Sequence, residues 1–143
     1  MDKYSKANAV LSKFCHSYMS LKKELPIRPS EMGLLNIIVI KEGKFTPVML
    51  AELLDVSKPM ITAHITALEK KEYIEKEYSK EDKRSFYVIP TGKAKELVKT
   101  TSEKTRRYLL EIESSLGKDT FETLLSILGD TTKILTNMKG DKS

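Results

Sequence analysis

The chain has 143 residues, and its balance of 40% hydrophobic and 31% charged residues excludes a disordered chain and favours a compact domain. Stretches apolar enough for a membrane span or a signal peptide are absent, and the single cysteine, Cys15, excludes an internal disulfide, so we expect a cytoplasmic protein with no membrane partner. The net charge of +5 favours an anionic partner, although the basic residues are scattered along the chain and do not locate a binding site.

The first two predicted helices differ in how they are expected to bury their apolar residues. Apolar residues recur at helical spacing from Tyr4 to Leu25, which predicts one helix over this range, and Pro26 ends it. Ser30 is the expected N-cap of a second helix that ends at about Gly43. That second helix is apolar nearly all round, so we expect it to be buried.

The middle of the chain predicts two short helices followed by a β-hairpin. The helices cover Pro47–Leu54 and Lys58–Lys71. Two β-rich runs follow at Tyr73–Tyr78 and Phe86–Ile89, and the charged residues 79–84 between them are expected to form the tip of the hairpin.

Two long helices are predicted after the hairpin. Thr91 is the expected cap of a helix that runs to about Leu116, and Gly117 separates it from the last helix. The last helix carries two apolar stripes, one made of Phe121, Leu124, Leu125, Leu128, Leu135 and Met138 and the other of Ile127 and Ile134. Two stripes need two covering surfaces, so we expect the terminal helices to form a subunit interface.

Residues 46–71 carry the pattern of a helix-turn-helix. Such a motif needs a small residue where its helices touch, a tight turn, and a branched apolar residue on the inner face of its second helix. Ala51, Asp55 and Ile61 stand at these positions. With Ile61, Ile65 and Leu68 turned inward, the residues expected to contact a DNA major groove are Ser57, Lys58, Met60, Thr62, Ala63 and Thr66. The alternative is an amphipathic helix buried in an ordinary α-helical protein.

The segments from residue 50 to residue 93 resemble the multiple-antibiotic-resistance regulator (MarR) family. They are Leu-Ala-Glu-Leu-Leu at 50–54, Val-Ser-Lys at 56–58, Ile-Thr at 61–62, Leu-Glu-Lys-Lys at 68–71, Tyr-Ile-Glu-Lys at 73–76, Asp-Lys-Arg-Ser at 82–85 and Thr-Gly-Lys at 91–93. The resemblance implies a mainly α-helical winged helix-turn-helix with a small β-hairpin wing. It implies a single domain over 1–143, with a DNA-binding lobe at 30–90 and dimerisation helices at 1–25 and 91–143.

The resemblance also implies a partner and a function. The expected protein is a homodimeric transcription regulator, with repression the expected effect, that binds an inverted-repeat operator in double-stranded DNA and needs no cofactor. In this family the wing arginine enters the minor groove and an aspartate holds its guanidinium, roles that fall on Arg84 and Asp82, with Lys80 and Lys83 beside them. The alternative for residues 80–84 is a solvated hairpin tip.

Three positions depart from the family pattern. Glu72 stands where a glycine usually follows the recognition helix, so the turn is costlier there if φ is positive. Ala67 replaces a basic residue of the recognition helix, which suggests fewer phosphate contacts or a different base preference. Pro90 replaces the leucine before the long helix.

Relief of DNA binding by a small-molecule effector or by oxidation is a further expectation. The resemblance places a ligand pocket where the first, second and fifth helices meet, with Phe14, Tyr18, Met32 and Asn36 as its candidate lining, and core packing is the alternative for each. Cys15 is the candidate redox sensor, and a buried small apolar residue is the alternative.

The two histidines do not suggest a metal site or an active site. His16 adjoins Cys15, but adjacent positions of a helix point about 100° apart and do not chelate one ion. His64 is expected near the inner edge of its helix, where it could equally well be partly buried or contact a DNA phosphate. An enzyme is disfavoured because no nucleophile–base pair or phosphate loop is present. A winged helix that binds only proteins remains as a rival, and the residues do not identify the operator, the effector or the choice between repression and activation.

Overall fold

The computed structural model describes residues 1–21 and 24–140. The elements, in chain order, are α1 (Lys3–Ser20), α2 (Pro29–Ile40), α3 (Pro47–Leu54), α4 (Lys58–Lys70), β1 (Ile74–Tyr78), β2 (Phe86–Pro90), α5 (Gly92–Leu116) and α6 (Lys118–Gly140). The predicted fold class, mainly α-helical with a two-stranded wing, is confirmed. No helix within these ranges is both long and apolar enough to cross a membrane. Two compact units are formed, one by residues 1–98 and the other from residue 99 onwards, and each is described by itself.

The first helix is shorter than predicted. It ends at Ser20, and the Leu21 N–H donates to the Tyr18 carbonyl (3.2 Å) in the tight closing turn. Residues 22 and 23 of the predicted helix lie outside the described residues, and Leu25 is not helical. Helix α1 contains no buried residue, so its apolar side chains contribute nothing to the core.

The second helix begins at Pro29, with Arg28 and not Ser30 as its N-cap. Proline fits the first helical position because the N–H that it lacks would have no partner there. The Glu31 carboxylate turns back and accepts from the Arg28 N–H (3.1 Å), so a glutamate supplies the capping bond that we expected from Ser30. The helix ends at Ile40, earlier than predicted, and Gly43 follows in a loop with φ of +111°.

The core of the first unit lies where α2, the two short helices and the wing meet. Its largest fully buried side chains are those of Leu34, Leu35, Leu50, Leu68, Ile74, Val88 and Glu31. Helix α2 is buried or half-buried from Glu31 to Val39, in line with the prediction, whereas Pro29, Ser30 and Ile40 at its ends are exposed.

The wing is an antiparallel hairpin whose register pairs Ile74 with Pro90 and Tyr78 with Phe86. Tyr73, predicted as the first strand residue, lies before the strand, and its N–H donates to the Leu68 carbonyl (2.9 Å). Phe45 adds an isolated β-bridge to Val88, whose N–H donates to the Phe45 carbonyl (2.8 Å). The middle of β2 is therefore bonded to the loop before α3.

Helix α5 begins and ends as predicted, and α6 begins after Gly117 as predicted. The Thr91 hydroxyl oxygen accepts from the Ala94 N–H (3.3 Å) at the start of α5, and Gly117 separates α5 from α6 with φ of +89°. Helix α6, in the second unit, carries five large apolar residues that are each at least half exposed. They are Leu125 (50%), Ile127 (56%), Ile134 (59%), Leu135 (55%) and Met138 (59%). The expected role of these residues and of α1 in dimerisation stays a prediction.

Candidate nucleic-acid interface

The turn between α3 and α4 has the geometry that a helix-turn-helix requires. Asp55 ends α3 in the left-handed conformation (φ 54°, ψ 49°), which aspartate tolerates better than most residues. The chain then reverses, and the Val56 N–H donates to the Ala51 carbonyl (3.0 Å). Ala51 is buried, and its small side chain lets the helices approach closely. The predicted places of Ala51 and Asp55 are confirmed.

Helix α4 has one buried face and one exposed face. Ser57 caps it as predicted, with its hydroxyl oxygen accepting from the Met60 N–H (3.3 Å). Ile61, Ile65 and Leu68 are buried. All six residues predicted to face DNA are exposed: Ser57, Lys58, Met60, Thr62, Ala63 and Thr66.

The exposed face of α4 is polar but carries little charge. Lys58 is its one cation among these six residues, so base contacts there depend on small hydroxyl, methyl and thioether groups. The Thr62 hydroxyl donates to the Lys58 carbonyl (2.9 Å) within the helix. Its hydrogen is therefore already in use, and Thr62 can meet a base through its oxygen lone pairs or its methyl group.

The wing tip is an ordered turn built around Ser79 and Asp82. The Ser79 hydroxyl oxygen accepts from the N–H groups of Glu81 (3.2 Å) and Asp82 (3.3 Å). The Asp82 carboxylate accepts from the Arg84 N–H (3.0 Å) and from the Ser85 hydroxyl (3.3 Å). The Arg84 backbone N–H, together with the Ser85 hydroxyl, holds the pKa of the Asp82 carboxyl below its ordinary value. The carboxylate therefore remains charged and folds the tip.

Arg84 extends from this turn into solvent. Its side chain is 93% exposed, and its Nε lies 3.5 Å from the Asp82 carboxylate. An exposed ion pair of this length contributes little energy, so Asp82 acts on Arg84 chiefly through the backbone of the turn. Lys80 and Lys83 are exposed beside it. The wing tip thus presents three cations and the exposed Glu81 beside the Asp82 carboxylate, which is bonded to the turn.

Sequence reasoning missed the contacts that Lys44 makes with the two strands of the wing. Lys44, in the loop before α3, donates to the Glu77 carboxylate (2.8 Å) and lies over the Tyr87 ring (5.5 Å). The hydrogen bond and the charge of Glu77 raise the pKa of Lys44. Lys44 and Glu77 are 33 positions apart in the chain, and a local sequence pattern does not predict such a pairing.

The residues proposed for effector binding differ in their exposure and contacts, and their role in a pocket stays a prediction. Phe14 and Tyr18 stack on one another in α1, with ring centroids 6.0 Å apart. Met32 is buried in the core, in line with the packing alternative, and Asn36 is half-buried. A cleft of about 600 Å³ lies elsewhere, between the start of α2 and helix α4, and is lined by Arg28, Glu31, Ser57, Pro59, Met60, Ala63, His64, Ala67 and Lys71.

Cys15 and His16 are exposed, whereas His64 is buried. Cys15 is exposed, so the alternative of a buried small apolar residue does not hold within one chain. His16 is also exposed, whereas His64 is buried and its Nε2 has no hydrogen-bond partner among the described residues. A phosphate contact by His64 is therefore disfavoured. Within residues 1–21 and 24–140, no three His, Cys, Asp or Glu side chains come together as a metal site requires.

Comparison with known proteins finds a family model over this part of the chain. The model of the MarR family matches residues 37–86, which include the helix-turn-helix and most of the wing, so the predicted resemblance is confirmed. No curated protein sequence matches the chain.

Solved structures confirm the winged-helix fold. The Streptococcus pneumoniae FabT in complex with DNA is 19% identical, with a TM-score of 0.82 over 95% of this chain and 99% of that chain. A MarR protein from Peptoclostridium difficile is 23% identical, with a TM-score of 0.75 over 99% of this chain and 93% of that chain. The S. aureus MepR in its DNA-binding conformation is 19% identical, with a TM-score of 0.68 over 96% of this chain and 99% of that chain.

Proposed function

We propose that this chain, a DNA-binding transcription regulator of the MarR family, is a homodimeric repressor that reads an inverted-repeat operator in double-stranded DNA. The observation that carries the proposal is the division of α4 into a buried apolar face and an exposed polar face, followed directly by a basic, ordered wing tip. A winged helix that bound only proteins would have no need of the Asp82–Arg84 arrangement.

Helix α4 is the proposed reader of base sequence. A major groove is about 12 Å wide and admits one α-helix with its side chains. Lys58 can bind guanine O6 and N7, and Ala63 and Thr66 can contact thymine methyl groups. Because five of the six exposed residues carry no charge, contacts to bases rather than to phosphates are expected to dominate on this face.

The wing is the proposed reader of groove shape. A narrow minor groove concentrates negative potential and attracts an inserted arginine. Arg84 is exposed and is carried by a turn that the Asp82 carboxylate holds in place. Its contact is expected to depend on groove width and charge more than on base identity.

Dimerisation is proposed from the apolar surface that the described residues leave exposed in each unit. In α1 the exposed large side chains are those of Tyr4, Val10, Leu11, Phe14 and Met19, and in α6 they are those of Leu125, Ile127, Ile134, Leu135 and Met138. Exposed apolar surface of this extent marks an interaction site in a soluble protein. A two-fold dimer of winged helices imposes two-fold symmetry on its operator. FabT crystallised with DNA and MepR in its DNA-binding conformation share the fold, which supports DNA as the partner.

Selection of duplexes from a random pool, followed by sedimentation of the protein, tests the proposal. The selected duplexes should contain an inverted repeat with half-site centres about 10 bp apart. The double variant Leu125→Lys, Leu135→Lys should sediment as a monomer and lose operator binding, because both side chains are exposed within the chain and the substitutions should leave its fold intact. The matched variant Leu125→Met, Leu135→Met should remain a dimer. A monomeric unmodified protein at micromolar concentration, or a single asymmetric half-site, would contradict the proposal.

Repression and its relief are the finer parts of the proposal. A reporter gene placed behind the selected operator should be expressed less when the protein is present, and increased expression would indicate an activator. Relief is proposed to follow binding of a small ligand or oxidation of Cys15, whose exposed position leaves its thiol accessible within one chain.

A further inference from the structure

We propose that Lys93 is a positioning residue for the DNA-reading helix. From the first turn of α5, and together with Thr91, it holds the C-terminal end of α4 and the turn that follows. The inference rests on the proposed function of α4 and assigns a specificity role to a residue outside the exposed faces of α4 and the wing tip.

Lys93 bonds to a backbone group that α4 cannot satisfy by itself. Its ammonium donates to the carbonyl of Lys71, the C-cap of α4, at 2.7 Å. The last carbonyl groups of a helix have no partner within the helix and carry the negative end of its dipole. A charged donor is therefore well matched to this carbonyl in both hydrogen bonding and charge.

A buried aromatic ring fixes the direction of the lysine. The ammonium lies 4.4 Å from the centroid of the Tyr73 ring, and Tyr73 is buried. A cation at this distance is attracted to the face of the ring. The ring and the carbonyl together turn the ammonium toward the protein and direct one of its N–H groups to the backbone.

Thr91 bonds to the next two carbonyl groups. Its hydroxyl donates to the Glu72 carbonyl (2.8 Å), and its N–H donates to the Tyr73 carbonyl (3.1 Å). Three consecutive carbonyls, those of residues 71, 72 and 73, thus accept from two residues at the start of α5. Glu72, in the middle, has φ of +65°, a conformation that costs energy in any residue but glycine. The bonds from α5 keep the chain in this conformation.

The position of these bonds gives them their effect. The N-terminal end of α4 is set by the Ser57 cap and the Asp55 turn, and its middle by buried side chains. The C-terminal end is set by the bonds from Thr91 and Lys93. Base contacts demand closely defined donor and acceptor positions, whereas phosphate contacts tolerate displacement. Loosening this end should therefore weaken operator binding more than non-specific binding.

Lys93→Met tests the proposal, and Lys95→Met is its matched control. Lys95 is exposed on the same helix, so both variants lose one positive charge at nearly the same place. Dissociation constants are measured on the selected operator and on a scrambled duplex at two salt concentrations. Lys93→Met should weaken operator binding about tenfold relative to Lys95→Met, because binding must then order the end of α4 without the bond, at a cost close to the energy of one charged hydrogen bond. The affinity for the scrambled duplex and the salt dependence of binding should be the same for both variants. Lys93→Arg should restore operator binding because it keeps a charged donor.

Amide hydrogen exchange supplies a readout that does not depend on DNA. The N–H groups of Glu72 and Tyr73 donate to the carbonyls of Glu69 (3.0 Å) and Leu68 (2.9 Å), so their exchange reports on this end of α4. Exchange at both amides should be faster in Lys93→Met than in Lys95→Met. If the unmodified protein shows no preference for any duplex, the proposed function fails, and the exchange rates alone decide whether Lys93 holds the helix.

Three outcomes would overturn the proposal. Equal weakening of both duplexes with a smaller salt dependence in Lys93→Met alone would make Lys93 a phosphate contact. A lower unfolding temperature with unchanged operator affinity of the folded protein would make its role merely structural. Unchanged exchange at the amides of Glu72 and Tyr73 would show that Lys93 does not hold the end of α4.

Discussion

Replacement of Arg84 by alanine isolates the contribution of the wing to DNA binding. The bonds that fold the wing tip are made by the backbone N–H of Arg84 and by other residues, so an alanine at this position can keep them. The guanidinium itself is 93% exposed, and its 3.5 Å pair with Asp82 contributes little stability. Any loss of affinity in Arg84→Ala should therefore come from the DNA contact and not from a damaged fold.

The size of the effect follows from counterion release. One phosphate neutralised by each wing contributes about 0.9 to the slope of log affinity against log salt, or about 1.8 for a dimer. When the salt concentration rises from about 50 to about 200 mM, this slope lowers the affinity about 3.5-fold for each wing and about 12-fold for the dimer. The unmodified protein should lose about 12-fold more affinity than Arg84→Ala across this range. Arg84→Lys keeps the charge and should keep the slope, while losing the planar guanidinium.

Fluorescence anisotropy on labelled operator and scrambled duplexes, at both salt concentrations, measures these quantities. Arg84→Ala should bind both duplexes more weakly, since the minor-groove contact depends little on sequence. If Arg84→Ala leaves both affinities and the slope unchanged, the wing does not enter the groove. A loss confined to the operator would instead make Arg84 a reader of bases.

Four further predictions concern single residues. Thr62→Ala should weaken operator binding by about 1–3 kcal/mol while binding to a scrambled duplex is unchanged, and equal weakening of both would contradict the assigned role. Glu72→Gly should raise the free energy of unfolding by about 1 kcal/mol in denaturant titrations, because glycine adopts positive φ without cost. The pKa of the Asp82 carboxyl lies below its ordinary value of 3.8, so the stability that the carboxylate contributes is complete above pH 3.8 and is lost as the pH falls through the lower, folded-state pKa. The Arg84 amide resonance should therefore titrate with a midpoint below 3.8, and a higher midpoint would contradict this. Cys15→Ser should leave operator affinity intact and abolish any release by peroxide, whereas release that persists in this variant would exclude Cys15 as the sensor.

The helix-turn-helix and the wing could be predicted because their signals are local. Ala51, Asp55 and Ile61 stand at fixed spacings within one short segment, and the turn residue adopts the left-handed conformation that the motif requires. Glu72 was expected to strain the turn after α4, and its φ of +65° confirms that expectation. In each of these cases a few neighbouring residues determine the backbone geometry.

Features that depend on competition or on distant contacts could not be predicted in this way. Both Ser30 and Arg28 could serve as the N-cap of α2. Arg28 takes this position because Pro29 fits the first helical position and the Glu31 carboxylate accepts from the Arg28 N–H. The bridge from Phe45 to Val88 joins residues far apart in the chain, and so does the bond from Lys93 to the Lys71 carbonyl. Such pairings follow from how the elements pack, which the spacing of residues within one element does not contain.

The hydrogen-bonded turn at the wing tip also affects how fast the protein can find DNA. The Ser79 hydroxyl and the Asp82 carboxylate already order the loop in the unbound chain. A loop that is ordered beforehand loses little conformational entropy on binding, so more of the interaction energy of Arg84 remains for affinity. Association then does not wait for the loop to fold, and its rate is limited by diffusion and electrostatic steering. The turn is thus expected to raise the rate of association with DNA as well as to order the wing tip.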